Sequence, residues 1–189
     1  MRMVILDNGH GRETPGKRSP IWPDGSQLFE WEFNRDVVRR ISEQLNNKGI
    51  ENTIIVPEDK DISLSERVKR TNAICSKYGA NNCLFISVHA NAGGGTGWEA
   101  YTTKGTTNSD KFCEILYDEA DMMWSGEWKI RRNKEENYTV IYGAKCPAVL
   151  IEFFFMDNER DCKYIMSDSG RDACAEVVVN AVSRWFMNN

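Results

Sequence analysis

The stretch CLFISVHANAGGG, Cys83 to Gly95, runs apolar residues straight into a histidine, an asparagine and three glycines. An unbroken apolar run of this length suits a strand buried on both faces of a parallel sheet, and the glycines mark the loop that follows. The only other histidine, His10, sits in a similar setting: MVILDNGHG, Met3 to Gly11, is again a short apolar run opening into a glycine-bearing loop. In an open α/β sheet, ligands gather outside the carboxyl ends of parallel strands. Both histidines therefore stand where such a fold places its chemistry.

Working outward, strands and helices alternate. FNRDVVRRISEQLNNKG (33–49) carries Phe33, Val37, Ile41 and Leu45 on one helical stripe with Gly49 as a stop. NTIIV (52–56) reads as a second strand, and SLSERVKRTNAICSKYGA (63–80) as a helix with Ser63 and Glu66 as a capping box. CLFIS (83–87) and GWEAYTT (97–103) are two further strands, and Ser109 is expected to cap a helix carrying Phe112, Ile115 and Leu116. YTVIY (138–142) and AVLIEFFF (148–155) read as the last two strands; a final helix places Ala173, Val177, Ala181 and Trp185 at four-residue steps. The expectation is one α/β domain over residues 1–189, with a mostly parallel twisted sheet of about six strands flanked by helices on both faces. Two stretches stand outside the alternation, 11–29 and 122–137, and long loops of this kind often line a binding site.

Composition narrows the function. A net charge of −4 gives no general footprint for nucleic acid. The six cysteines, at 75, 83, 113, 146, 162 and 174, lack the close spacing of zinc or redox motifs and read as buried free thiols. The opening MRMVILD does not resemble a signal peptide, and no apolar run approaches the ~18 residues of a membrane span. Synthesis in the cytoplasm, no membrane insertion and a monomeric state are the corresponding expectations.

Glu152 lies near the end of AVLIEFFF, where an unpartnered carboxylate is costly to bury. The topology would bring His10, His89 and Glu152 to one rim of the sheet. Two neutral imidazoles and a carboxylate from elsewhere in the chain can hold Zn²⁺ with a position open to water, which is the donor set of a hydrolytic metal site.

The blocks ILDNGHG, LSERVKRTNAI, FISVHANA and PAVLIEFFFMDN, in this order, resemble the signature blocks of the zinc-dependent N-acetylmuramoyl-L-alanine amidases. The resemblance spans nearly the whole chain. It implies an α/β fold and cleavage of the amide between N-acetylmuramic acid and L-alanine in peptidoglycan, with a zinc-bound water as nucleophile. Carried over by position, His10 and His89 match the two histidine ligands. In FEWEFN the third ligand falls on Glu30, four residues before Asn34, with Glu32 as its competitor. Glu152 matches the catalytic glutamate, acting as general base and then as general acid. Arg131 and Lys134 resemble a basic pair suited to stem-peptide carboxylates, and Glu99 also matches a family position. Phe154 departs from the pattern, standing where relatives carry glycine, and its ring is expected to narrow the groove. With no leader or wall-binding module in view, the chain resembles a single-domain endolysin that reaches the wall after the membrane is breached. A zinc peptidase on other peptides and a non-catalytic peptidoglycan-binding module are the alternatives.

Overall fold

The computed structural model describes residues 2–188. Its strands are β1 (Met3–Asn8), β2 (Asn52–Ile54), β3 (Cys83–Asn91), β4 (Trp98–Thr102), β5 (Ile130–Glu135) and β6 (Ala148–Phe155). The helices are α1 (Glu30–Asn47), α2 (Leu64–Tyr78), α3 (Asn108–Trp124), α4 (Thr139–Tyr142), α5 (Glu159–Met166) and α6 (Asp168–Asn188). The strands form one sheet in the order β2-β1-β3-β6-β4-β5. Every neighbouring pair is parallel except β4 with β6. β2 lies on one side of β1 and β3 on the other, so the crevice beyond their carboxyl ends is the place where such sheets bind ligands.

The two-residue period of a strand sorts the core into two layers. Val4, Leu6, Leu84, Ile86, Val88, Val149, Ile151 and Phe153 pack on one face with residues of α1, α3, α5 and α6. Met3, Ile5, Phe85, Ala148 and Leu150 pack on the other with Cys75 of α2 and Val140 and Ile141 of α4. Continuing the same alternation, Asp7, Ser87, His89 and Glu152 fall on the α2–α4 face. All six cysteines are free and buried. No helix among the described residues is long and apolar enough to cross a membrane.

Four local expectations are corrected. YTVIY is not a strand: Thr139–Tyr142 form α4, which buries Val140 and Ile141 and leaves Tyr138 and Tyr142 exposed before Gly143. The strand missing from the count is IRRNKE (β5), inside a stretch expected to be loop. It sits at the sheet edge, where charged residues are tolerated and guard against strand addition, so it carries no apolar alternation to read. The cap of α3 is Thr107, not Ser109: its hydroxyl accepts from the helix start while Asp110 accepts from the Thr107 N–H at 2.6 Å. Ser63 does cap α2, accepting from the Glu66 N–H at 3.3 Å, but the Glu66 carboxylate accepts from Arg70 Nε at 3.1 Å and does not close the expected box.

Candidate metal centre and cleft

Three elements converge on the crevice. β1 delivers Gly9 and His10, β3 delivers His89, and α1 begins with Glu30, which is 1% exposed. Glu30 Oε1 lies 3.1 Å from His89 Nδ1 and 3.3 Å from His10 Nε2, and it also accepts from the Ala90 N–H at 3.3 Å. The imidazole rings stand edge to face, 4.9 Å apart at 87°. One donor atom from each of the three side chains lies within 4.8 Å of the other two. Glu32, the competitor in sequence, is exposed on the far side of the helix start.

The approach of the two rings depends on glycine. A Cβ on Gly9 would lie 2.0 Å from His89 Cε1, so only a residue without one lets the imidazole lie against the backbone there. His10 itself takes a left-handed conformation with φ 60°. That region is sparsely used by residues with a Cβ.

The charges are mutually adapted. Burial works to raise the Glu30 pKa, but hydrogen bonds with His10 and His89 outweigh it and hold the carboxyl well below its usual range. Burial lowers His10, whereas His89 ends above its ordinary value because Glu30 and Glu152 outweigh desolvation. Glu30 Oε2 is buried without a hydrogen-bond partner, with Lys17 Nζ 3.8 Å away. Glu30 Oε1 beside the two imidazole nitrogens, with Oε2 of the same carboxylate buried and carrying spare lone pairs, makes a donor set that suits a zinc ion.

Glu152 stands in register with His89 on the adjacent strand β6. Its Oε2 is buried and unpartnered. Burial pushes its carboxyl up to about 7, the charges of Glu30 and Glu99 add to the rise, and His89 and Lys17 oppose it. His10, His89 and Glu152 line one cleft of about 530 Å³, which Asp61, Leu64 and Tyr138 also line.

The other expected residues do not line this cleft. Arg131 is engaged by Glu99, with Nε 2.5 Å from Oε1, and its guanidinium lies over the Phe155 ring at 5.3 Å. Glu99 is 2% exposed, also accepts from the Tyr101 hydroxyl at 2.5 Å, and pairs in register with Glu152. Lys134 lines a separate recess of about 180 Å³ with Thr102, Asp110 and Tyr117, away from the histidines. The Phe154 ring does not narrow the cleft. It is fully buried among Trp124, Trp128 and Tyr164, with centroids 4.9–5.2 Å away. The backbone nevertheless keeps the conformation that glycine would adopt freely, φ 58°.

Sequence reasoning overlooked Lys17 and Arg67, both of which line the cleft. Lys17 sits in the 11–29 loop, where residue type alone does not separate a cleft lysine from a solvated one. Arg67 lies within LSERVKRTNAI, and its position on the buried face of α2, in step with Thr71 and Cys75, was the available signal.

The chain is 27% identical over 98% of its length to the uncharacterized protein YqiI of Bacillus subtilis, covering 85% of that protein. It is 27% identical over 98% of its length to N-acetylmuramoyl-L-alanine amidase CwlM of Bacillus licheniformis, covering 69% of it. The crystal structure of N-acetylmuramoyl-L-alanine amidase from Clostridium difficile 630 superposes with a TM-score of 0.87 at 23% identity, covering 100% of this chain and 98% of that one. The family model described as N-acetylmuramoyl-L-alanine amidase matches residues 4–184, and the chain belongs to that family.

Proposed function

We propose that this enzyme hydrolyses the amide between N-acetylmuramic acid and L-alanine in peptidoglycan, with Zn²⁺ held by His10, Glu30 and His89. The observation that carries the reading is the convergence of these three side chains, from β1, α1 and β3, to within 4.8 Å, with Glu152 in register beside His89. When bound, a zinc ion supplies Lewis acidity, lowering the pKa of a coordinated water to roughly 7 and polarising the amide carbonyl.

The chain's own groups do the rest. Glu152 takes the proton from the attacking water and passes it to the departing amine of L-alanine. A carboxyl whose pKa stands at about 7 serves both directions near neutral pH, because neither protonation state is held too tightly. Its unpartnered Oε2 leaves a lone pair free for the transfer. Glu30 stays ionised throughout, since its neighbours hold its pKa low. Lys17, about 42% exposed at the cleft mouth, offers an ammonium to substrate carboxylates or to the carbonyl oxygen as it gains charge.

Digestion of purified peptidoglycan followed by mass spectrometry tests this. Stem peptides released with a free L-alanine amino terminus are the expected product. Glycan strands carrying shortened peptides would identify a peptidase instead, and binding without cleavage would identify a non-catalytic module.

A further inference from the structure

The left-handed conformation of His10 persists only where its surroundings over-determine it, and two arginines from different helices do so. Arg35 of α1 donates from Nη1 to the His10 carbonyl oxygen at 3.0 Å. Arg67 of α2 donates to the same oxygen from Nη2 at 3.3 Å. The preceding peptide is held as well, Asn34 Nδ2 donating to the Gly9 carbonyl at 3.0 Å.

Neither guanidinium is free to drift. Arg67 is 2% exposed. Its Nε donates to Ile62 O, Nη1 to Asp7 Oδ1 and Asn8 O, and Nη2 to Asp61 Oδ1 as well as His10 O. Asp7 is in turn fixed by the Ser87 hydroxyl at 2.6 Å. Arg35 bonds the Glu58 carbonyl through Nε and Nη2 at 3.1 and 2.7 Å, and its guanidinium lies 5.5 Å from the Trp31 ring centroid.

We propose that Arg35 and Arg67 are positioning residues of the metal centre: together they lock the His10 peptide in the conformation that aims its imidazole at Glu30 and His89. The inference rests on the zinc reading above. It adds that affinity for the metal is set partly by two side chains that touch none of the donor atoms. They act through one backbone oxygen. Lysine cannot replace arginine in this role, because an ammonium's three donors at a single point cannot span the separate acceptors that a planar guanidinium reaches.

The test titrates Zn²⁺ into the purified full chain against a chromophoric chelator, for wild type, Arg35→Met and Arg67→Lys. Arg40→Met is the control: it lies on the same helix, but its guanidinium bonds Asp36, Asp168 and Asp172, away from the site. Zinc affinity is expected to fall about 10- to 100-fold in each clamp variant, as for other groups that orient metal ligands, and to hold within about two-fold in the control. Cobalt substitution should show shifted visible absorption bands in the clamp variants alone, a change that loss of stability by itself does not produce. Wild-type affinity in the clamp variants, or an equal loss in Arg40→Met, overturns the clamp while leaving the zinc site standing. If Arg67→Lys fails to fold, Arg35→Met decides by itself. A wild-type protein that takes up no zinc overturns the zinc reading and the clamp with it.

Discussion

Replacing Glu152 with glutamine removes a proton carrier while leaving the side-chain volume almost unchanged. Glu152 is not one of the three clustered donors, so zinc content should stay at the wild-type level. Loss of a general acid–base group costs about 10²- to 10⁴-fold in rate. At about 1.36 kcal/mol for each tenfold, that is roughly 3–5 kcal/mol of transition-state stabilisation. A second magnitude follows from the same carboxyl, raised from 4.5 to about 7. Between those values the folded chain holds a proton that the unfolded chain releases, so stability falls as pH rises and the loss is complete above about 7. The ceiling on that loss is roughly 3 kcal/mol.

Glutamine does not titrate, so the variant should lack this slope. In chelator-stripped protein, urea unfolding from about pH 4 to about pH 8 should show wild type losing up to roughly 3 kcal/mol relative to Glu152→Gln. Turnover is read in parallel as new amino termini released from peptidoglycan, and zinc by elemental analysis. Full turnover in the variant would refute the proton-transfer role. Parallel pH profiles of stability would refute the claim that burial raises the pKa of this carboxyl.

Gly9→Ala should cost about 1–3 kcal/mol in urea unfolding, because the added methyl overlaps the His89 ring at 2.0 Å, and zinc affinity should drop with it. Phe154→Gly sets two effects against each other: relief of a left-handed backbone worth about 1–3 kcal/mol, and loss of a buried ring worth about 3–5 kcal/mol. The net expectation is a loss of about 2 kcal/mol, and a glycine variant as stable as wild type would show that burial of the ring no more than balances the strain. Burial of Asp36 raises its pKa, but Arg171, Arg39 and Arg40 outweigh this and hold the carboxyl at about 2 instead of 3.8. Its folded pKa is depressed, so the stabilisation, about 1 kcal/mol once solvent screening of this part-exposed cluster is counted, is complete above about pH 4 and lost as pH falls through about 2. Thermal unfolding of Asp36→Asn should therefore differ from wild type near neutral pH and converge with it in acid.

The central part of the molecule was legible because its signals are local. Apolar runs in β1, β3 and β6 and four-residue spacing in α1 and α6 are properties of consecutive residues, and they carry the sheet and its flanking layers. β5 was not legible, since an edge strand of charged residues has no apolar periodicity to detect. YTVIY misled for the opposite reason: five β-branched or aromatic residues satisfy a strand pattern and also a single helical turn that buries its middle. Of the candidate residues, His10, His89 and Glu152 could be placed at one rim from strand ends alone. Glu30 came only from resemblance, because an acid at a helix start is common for reasons of the helix dipole. Lys134, chosen by the same route, lines another recess.

The order of residues by itself determined which strands exist at the centre and that imidazoles and a carboxyl stand in or just after them. It did not give their ends, since β1 and β3 run on to Asn8 and Asn91, past the expected Leu6 and Ser87. Folding decided matters that depend on distances between segments far apart in the chain. It seated Glu30 rather than Glu32 between the imidazoles, turned Phe154 into the core, engaged Arg131 with Glu99, and brought two arginines onto the carbonyl of His10. Strand alternation is written every second residue, whereas a metal centre or a buried ion pair forms only when separate elements have packed and water has been excluded.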